Sequence, residues 1–391
     1  PEGGRLPGAQ RLVPAAALWG YTVSASMILV ALAAPWLGAL ADRHRCRRRL
    51  LILFGTVGAV ATAALSLAGP GHYGLAALCF IVANVGFATG NIFYDSFLPA
   101  LAAGEAEIDR LSARGYALGY LGGGLALLLC FLLIQFSPHL GFSDRGSATR
   151  AGFLLIGLWW GGFALPAFRH LREDLFAASV RPKRFGFRDY FATFAELRQH
   201  PDLLRFLLAF LFYNDGIQTI ITVSALFGRE ELHLSQTTIL QVFLMIQFVA
   251  FPGALLYGRA AARWGAKRSI AVGLALFVAI TAFAYVMEHG WQFWLLGACV
   301  ALVFGGCQAI SRSLYATLIP AGKSAELFAF FTISGKFASI FGPLIFAAVA
   351  DLTGSTRLSI LALSAFFILG LLLLAAVDVA RGRAAARGAQ P

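Results

Sequence analysis

Blocks of twenty or more apolar residues, separated by short polar clusters, constrain this chain more than any other feature of its sequence. A helix needs about 20 apolar residues to cross the hydrocarbon core of a bilayer. Of the 391 residues, 59% are hydrophobic and only 13% are charged, whereas a soluble domain has about 25% charged residues. A membrane β-barrel would need alternating strands of about ten residues, which the sequence lacks. The sequence therefore predicts an all-α membrane protein.

We predict eleven membrane spans from these blocks. They cover residues 15–41, 50–69, 74–100, 111–137, 148–168, 203–227, 236–258, 269–287, 291–319, 325–350 and 357–378. The polar segments between them are short, except for the charged stretch 169–202, whose aromatic residues predict an amphipathic helix at the membrane surface. Those aromatic residues are Phe185, Phe187, Tyr190, Phe191 and Phe194.

The basic residues predict how the chain is oriented in the membrane. When the segment 42–49 is placed in the cytoplasm, 21 of the 31 Lys and Arg residues fall in cytoplasmic segments. This agrees with the positive-inside rule and predicts a cytoplasmic C-terminus, in a multi-pass protein of the bacterial inner membrane. The net charge of +12 is then explained by orientation, so no nucleic-acid partner is expected.

An internal repeat divides the chain into two similar halves. Residues 38–48 match residues 258–268 at an offset of 220, and two later stretches, 94–100 and 115–123, match 315–321 and 335–343 at nearly the same offset. We therefore predict an N-terminal lobe over 1–168, a cytoplasmic linker over 169–202 and a C-terminal lobe over 203–391. The second copy has six spans and the first has five, so we expect a further helix before residue 1 and twelve spans in all.

The repeated loop carries the most specific motif. In the first copy it reads GALADRHRCRR, and the residues of interest are Gly38, Asp42, Arg43 and Arg48; in the second copy they are Gly258, Arg263, Lys267 and Arg268. The first copy resembles the signature loop of the major facilitator superfamily, with Arg45 or Cys46 where a turn glycine is usual. We expect Gly38 to permit close helix approach and Asp42 to engage a helix N-terminus or an arginine, so that the loop acts as a gate. The alternative is a loop that is merely basic.

A closer resemblance covers nearly the whole chain. It rests on residues 18–43, 113–129, 210–228 and 311–344, with YNDGIQT at 213–219 as the most distinctive string. These stretches resemble the vacuole-effluxer-like family, which includes the autophagy-related amino-acid effluxer of fungal vacuoles. The resemblance implies a two-lobed helical bundle and transport of a small solute, with amino acids as the first candidate.

Polar residues inside the spans mark the candidate solute site. An ionisable group near the bilayer centre costs about 2.5–3.5 kcal/mol on insertion scales, so each one needs a reason. The candidate binding residues are Asn214, Asp215 and Gln218 on the sixth span, Ser311, Arg312 and Tyr315 on the ninth, Asn91, Tyr94 and Asp95 on the third, and Lys336 on the tenth. The alternative for each charge is a buried structural pair, and Asp95 also lies close enough to a span end to belong to the gate.

These residues favour a secondary active transporter with a site between the two halves. In this hypothesis Asp215 binds a proton or an ammonium group, Arg312 and Lys336 bind a substrate carboxylate, and the neutral polar residues donate hydrogen bonds. A proton is the candidate coupling ion, and we expect a monomer with no cofactor and no metal. The alternatives are a membrane scaffold without transport activity and an integral-membrane enzyme. An enzyme is not expected, because the seven histidines are scattered over loops and span ends.

Overall fold

The structure is a computed structural model that describes residues 15–102, 104–175, 197–337 and 340–388. Over these residues the chain forms fourteen α-helices and no strand. The first five are α1 (Ala15–His44), α2 (Arg47–Ala64), α3 (Tyr73–Ser96), α4 (Glu105–Gln135) and α5 (Arg145–His170). The next four are α6 (Pro201–Glu230), α7 (Gln236–Trp264), α8 (Ala266–Val286) and α9 (Gly290–Leu318). The last five are α10 (Ser324–Phe337), α11 (Phe341–Thr353), α12 (Thr356–Ala362), α13 (Ser364–Ala375) and α14 (Val379–Gly388).

Eleven helical stretches of the described residues are long and apolar enough to span a membrane, as predicted. Each of α1 to α9 lies in one of them, α10 and α11 share the stretch Ser324–Thr353, and α12 and α13 share Thr356–Ala375. The C-terminal helix α14 is too short and too polar to be one of them.

Two helix ends extend beyond the predicted spans because polar residues continue the helix. α4 begins at Glu105 rather than at residue 111, and its first turn carries Glu105 and Glu107. Acidic side chains are favourable there because they face the positive end of the helix dipole. α7 continues past residue 258 to Trp264, where Gly265 stops it at a φ of 87° and a ψ of 150°.

Arg45 occupies the equivalent turn in the first copy of the repeat, and its φ is 50°. The departure from the usual glycine is therefore accommodated by a left-handed arginine between α1 and α2. Its guanidinium donates a hydrogen bond to the backbone oxygen of Glu173, at 3.0 Å, which helps to hold this turn in place.

Two compact units make up the described chain. The first contains residues 15–97, 125–175 and 325–330, and the second contains residues 98–124, 197–324 and 331–388. The predicted lobes, 1–168 and 203–391, and their linker stay predictions. Residues 176–196, with the aromatic side chains on which the amphipathic helix depends, lie outside the described residues.

Small residues bring α2, α3 and α5 together in the first unit. A Cβ atom on Gly86 of α3 would lie 2.7 Å from the Cα atom of Gly58 on α2, so neither side of this contact has room for a side chain. Gly58 itself lies against the ring of Trp160 on α5. Close backbone approach of this kind is how helices pack where no hydrophobic driving force operates between them.

In the second unit, α6 and α9 are the helices with most of their length buried. α9 packs on α7 and α8, and α6 packs on α13. The α7–α9 contact is again close, because a Cβ atom on Gly253 would lie 2.6 Å from the backbone oxygen of Leu302. The two helices that carry most of the predicted site are thus at the centre of their unit.

Candidate functional site

Asp215 lies in the middle of α6 and is buried, with 1% of its surface exposed. Its carboxylate accepts a hydrogen bond from the backbone N–H of Gly342, at 2.9 Å, and one from the hydroxyl of Thr219, at 3.4 Å. Gly342 is in the first turn of α11, so the carboxylate caps that helix and interacts favourably with its dipole. No lysine or arginine among the described residues forms an ion pair with Asp215.

Glycine at position 342 is required by this geometry. A Cβ atom there would lie 2.8 Å from Oδ1 of Asp215 and would overlap the hydroxyl of Thr219. The backbone of α11 can reach the carboxylate only because no side chain stands between them.

A pair of amides lies beside Asp215. The side chain of Gln308 on α9 donates a hydrogen bond of 2.5 Å to the amide oxygen of Asn214 on α6. The amide nitrogen of Asn214 donates in turn to the backbone oxygen of Gly335 on α10, at 3.4 Å. Asn214 therefore joins three helices of the second unit at one point.

Lys336 follows Gly335 directly, in the last turn of α10, where a cation is favoured by the helix dipole. Its side chain is half-buried. Within the described residues it has neither an ion pair nor a hydrogen bond. Within the described residues, Asp215 on α6 is thus a carboxylate without a cation, and Lys336 on α10 is a cation without a carboxylate. The two helices meet at Asn214.

The other residues predicted on α6 and α9 have different surroundings. The hydroxyl of Ser311 is hydrogen-bonded to that of Tyr213, at 2.6 Å, and Tyr315 is fully buried, with its ring 4.8 Å from that of Phe331. Gln218, one turn after Asn214, is half-buried. Ser311 and Tyr315 thus pack within the helix bundle, and binding of a solute by these three residues stays a prediction.

Arg312 faces α4. Its Nε donates to the hydroxyl of Ser112 at 3.0 Å, its Nη2 donates to the backbone oxygen of Ser112 at 3.1 Å, and its guanidinium lies 4.6 Å from the ring centre of Tyr116. One residue further along α9, the hydroxyl of Ser313 donates a 2.5 Å hydrogen bond to Asp109. Neither Ser112 nor Asp109 was predicted from the sequence. Asp109 lies outside the predicted span 111–137, and Ser112 is at the polar start of that span, where the hydropathy pattern gives no sign of its partner.

The predicted residues of α3 belong to the first unit. Asn91 and Asp95 are half-buried and Tyr94 is exposed, with 41% of its surface accessible. On the same helix, the side chain of Asn84 donates a hydrogen bond of 2.7 Å to the hydroxyl of Ser26 on α1. A role of these three residues in solute binding stays a prediction.

Asp42 makes the contacts expected of it, and both of the expected partners are present. Its carboxylate accepts hydrogen bonds from the backbone N–H groups of Ala325, at 3.0 Å, and Glu326, at 2.8 Å, in the first turn of α10. It also pairs with Arg47 at 2.5 Å. Gly38 permits this approach, because a Cβ atom there would lie 2.6 Å from the backbone oxygen of Ala325.

Arg47 is the buried arginine of this loop, although it was not among the gating residues predicted from the sequence. It is 2% exposed and pairs with Glu173, at 3.2 Å, as well as with Asp42. Glu173 also accepts a hydrogen bond of 2.7 Å from the backbone N–H of Arg48, whose Nε donates to the backbone oxygen of Phe168. Arg43 is half-buried. The gating role of the whole loop stays a prediction.

The second copy of the loop is built differently. Position 262, the counterpart of Asp42 at the offset of 220, is alanine, so this copy has no carboxylate to cap a helix. Lys267 instead donates to the backbone oxygens of Ala375, at 2.8 Å, and Val377, at 2.7 Å, which are the last residue of α13 and a residue just after it. Arg263 and Arg268 are exposed. Among the described residues there is no group of three His, Cys, Asp or Glu side chains placed to hold a metal ion.

This arrangement of helices is that of a known class of membrane proteins. The chain superposes on the E. coli fucose:proton symporter with a TM-score of 0.71 and 14% identity, over 92% of this chain and 91% of that one. It superposes on the human organic anion transporter MFSD10 with a TM-score of 0.68 and 18% identity, over 91% and 83%. A fucose transporter of the same fold, solved in the outward conformation, is described as a major facilitator superfamily transporter. The predicted fold, a major-facilitator-type helical bundle, is confirmed.

Sequence relatives narrow the class to a family. The family described as "Vacuole effluxer Atg22 like" matches residues 8–387. An uncharacterized MFS-type transporter of Bacillus subtilis, YxiO, is 34% identical over 92% of this chain and 84% of its own length. Autophagy-related protein 22 of Saccharomyces cerevisiae is 28% identical over 86% and 72%. The chain belongs to the Atg22-like vacuole effluxer family, as its resemblance predicted, and its relatives are transporters of the major facilitator superfamily rather than enzymes.

Proposed function

We propose that this chain is a secondary transporter that moves a small zwitterionic solute, with amino acids as the first candidates, by alternating access. The proposal rests on one observation: Asp215 and Lys336 are charged groups inside spans of the same unit, and neither has an ion-pair partner among the described residues. Asn214 connects the two helices that carry them. A zwitterion supplies the missing opposite charge to each group.

The cost of burying a charge favours a functional role for Asp215 and Lys336 over a structural one. A charge in a membrane span costs about 2.5–3.5 kcal/mol even on insertion scales, and proteins usually offset this with a partner charge. Arg47 and Asp42 show that this chain does pair buried charges of opposite sign. Within the described residues Asp215 has two hydrogen bonds but no cation, and Lys336 has no partner, so a bound zwitterion would offset the remaining cost of both charges.

Lys336 is the better of the two predicted cations for a substrate carboxylate. Arg312 is 6% exposed, and Ser112 and Tyr116 on α4 already occupy its guanidinium. We therefore assign Arg312 to the packing of α9 on α4 and Lys336 to the substrate. Gln308 donates a hydrogen bond to Asn214, and these two amides supply further donors and acceptors for the substrate.

Asp215 then binds either the substrate ammonium group or a coupling proton. Its carboxylate stabilises the start of α11 through the Gly342 N–H, and this interaction is stronger for the charged form. Protonation weakens the cap, and so it links proton binding to the position of α11. This link is the physical basis for proposing the proton as the coupling ion.

We further propose a bacterial inner-membrane location with a cytoplasmic C-terminus, in a monomer. The orientation rests on the distribution of Lys and Arg, 21 of 31 of which lie on the assigned cytoplasmic side. Labelling of single cysteines with a membrane-impermeant thiol reagent tests this orientation. A cysteine introduced within residues 379–388 should stay unlabelled in intact spheroplasts, because the reagent cannot reach the cytoplasmic side.

Flux in proteoliposomes tests the proposed transport. The full-length protein is reconstituted, and uptake of a mixture of labelled amino acids is followed with and without an imposed pH gradient. We expect uptake that saturates and is faster with the gradient. Asp215→Asn should abolish the effect of the gradient, and Lys336→Gln should raise the apparent KM at least tenfold, while Lys336→Arg retains part of the affinity.

A matched control separates these effects from a general loss of charge. Asp351 is an exposed carboxylate on α11, and Asp351→Asn should leave flux unchanged. Gradient-dependent flux that is unaltered in Asp215→Asn would refute the role assigned to that residue. The absence of solute flux in the intact protein, for amino acids and for other small polar solutes, would favour the non-transporting scaffold.

A further inference from the structure

A small cavity of about 350 Å³ lies between α4 and α7, near the end of each helix, and its charged residues are all arginines. Its residues are Arg110, Ala113, Arg114, Leu255, Gly258, Arg259, Ala262 and Arg263. All of them belong to the second unit. The lining holds four positive charges and no negative one.

Helix geometry explains why the four guanidinium groups come together. Arg110 and Arg114 are four residues apart on α4, and Arg259 and Arg263 are four residues apart on α7, so each pair projects from one face of its helix. The two helices cross in contact, because a Cβ atom on Gly258 would overlap the side chain of Ala113. The crossing brings both pairs to one cavity.

The described part of the chain does not neutralise these arginines. Within the described residues, none of the four forms an ion pair or a hydrogen bond through its side chain. The carboxylate of Asp109 accepts a hydrogen bond from Ser313, and that of Glu105 pairs with Arg383. Like charges at this spacing destabilise a helix, so an anion that binds to them gains both attraction and relief of repulsion.

The depth of the cavity and the residues next to it indicate the kind of anion. Arg110 lies about 7.5 Å along α4 from its first residue, at 1.5 Å per residue, and Arg263 is next to the last residue of α7. Both positions are near the ends of membrane-spanning helices, where basic residues are expected to meet lipid headgroups. One turn beyond the arginines, on the same helix faces, Leu118 and Leu256 are 65% and 55% exposed. Trp264, at the end of α7, is 59% exposed, as an interfacial aromatic residue would be.

We propose that this four-arginine cavity binds the phosphate of an anionic phospholipid. The guanidinium groups match phosphate oxygens with paired N–H donors, and the exposed leucines provide a surface for the acyl chains. A soluble phosphate would use the arginines but would gain nothing from Leu118 and Leu256. The site is separate from the polar cluster around Asp215 and does not depend on the transported solute.

Titration of the purified full-length protein with short-chain lipids tests this proposal. Dioctanoyl phosphatidylglycerol, dioctanoyl phosphatidylcholine and inorganic phosphate are added in turn, and the melting temperature is followed as a measure of binding. We expect a saturable rise in Tm with phosphatidylglycerol only. In Arg110→Gln/Arg114→Gln and in Arg259→Gln/Arg263→Gln, we expect at least tenfold weaker affinity for this lipid.

Two control variants make the test specific. Arg169→Gln/Arg172→Gln removes two exposed arginines from the predicted cytoplasmic side but not from the cavity, and it should bind phosphatidylglycerol as the unaltered protein does. The corresponding Arg→Lys pairs keep the charge. They should bind phosphatidylglycerol more weakly than the unaltered protein, because lysine lacks the paired donors of arginine, and a loss of affinity in them cannot come from a change in net charge.

Three outcomes would overturn the proposal. The first is equal affinity for phosphatidylglycerol in the cavity variants and in Arg169→Gln/Arg172→Gln. The second is equal stabilisation by inorganic phosphate, which would indicate a site for a soluble anion. The third is equal retention of phosphatidylglycerol and phosphatidylcholine in native mass spectrometry of the unaltered protein, which would mean that the arginines do not select the headgroup.

Discussion

Replacing Asp42 by asparagine tests the most tightly built contact of the first unit. The carboxylate accepts three hydrogen bonds, from the backbone of Ala325 and Glu326 and from Arg47, at 2.5–3.0 Å. Asparagine has the same size, but it has one acceptor oxygen instead of two and carries no charge. The substitution therefore loses the interaction with the helix dipole and leaves the buried guanidinium of Arg47 with Glu173 as its remaining carboxylate.

The expected loss of stability can be estimated from these contacts. Breaking one side of a buried ion pair costs about 3–5 kcal/mol. Glu173 still compensates Arg47 in part, so we expect a loss near the lower end, about 3 kcal/mol. Asp174→Asn is the matched control, because Asp174 is exposed, and its replacement should change stability by less than about 0.5 kcal/mol.

Equilibrium unfolding in mixed micelles, by titration with sodium dodecyl sulfate and tryptophan fluorescence, measures both effects. The double variant Asp42→Asn/Arg47→Gln completes a cycle, and we expect a coupling energy of about 0.5–3 kcal/mol between the two positions. A loss for Asp42→Asn no larger than that of Asp174→Asn would refute the reasoning. Zero coupling would show that Arg47 does not depend on Asp42.

Three other substitutions are expected to change stability for separate reasons, measured by the same unfolding titration. Gly342→Ala should cost about 1–3 kcal/mol by crowding Thr219, and adding Thr219→Ala should recover part of that loss; no recovery would contradict the steric explanation. Glu231→Gln should cost about 1 kcal/mol at pH 7. A hydrogen bond from Thr356 holds the pKa of Glu231 below its ordinary value of 4.5. This stabilisation is therefore present above pH 4.5 and is lost as the pH falls through the folded-state pKa. A difference in stability between Glu231→Gln and the unaltered protein that does not change with pH would contradict this explanation. Gly265→Ala should cost about 1–3 kcal/mol, because a φ of 87° with a ψ of 150° is accessible almost only to glycine; an unchanged stability would mean that the turn can relax.

The sequence predicted the number and type of the spans because bilayer burial acts on whole blocks of residues. It placed the start of α4 at residue 111 because residues 105–110 are too polar to count as membrane-buried. In the structure Asp109 faces Ser313 on α9, so the helix continues through polar residues that have partners elsewhere. A hydropathy pattern holds no information about which partner a polar residue will meet.

The same limit applies within the candidate site. Asn214 and Asp215 both lie on α6, and the structure adds the contact of Asn214 with Gln308, which the sequence did not predict. Arg312 and Gln308 lie four residues apart, on one face of α9. Their bonds nevertheless lead to different helices, α4 for Arg312 and α6 for Gln308. Periodicity defines a face of a helix, but only packing decides which neighbour lies against each part of that face.

The internal repeat gives a reason for one asymmetry of the molecule. The offset of 220 relates Asp42 to Ala262, and it relates Ala325 and Glu326, whose N–H groups Asp42 caps, to residues 105 and 106 at the start of α4. The counterpart of the Asp42 contact would thus be a contact between residue 262 and the first turn of α4. These positions do lie together in the second unit, where Glu105, Ala106 and Ala262 all line a cavity of about 600 Å³.

Alanine cannot cap a helix, so the two copies share a position in the fold and differ in its chemistry. The start of α4 is held instead by the ion pair of Glu105 with Arg383 on α14, a helix that follows the second copy. Because a surface ion pair contributes much less than a buried, hydrogen-bonded carboxylate, the contact made by the first copy is the stronger of the two. A substitution at Asp42 should therefore disturb the protein more than one at any residue of the equivalent loop.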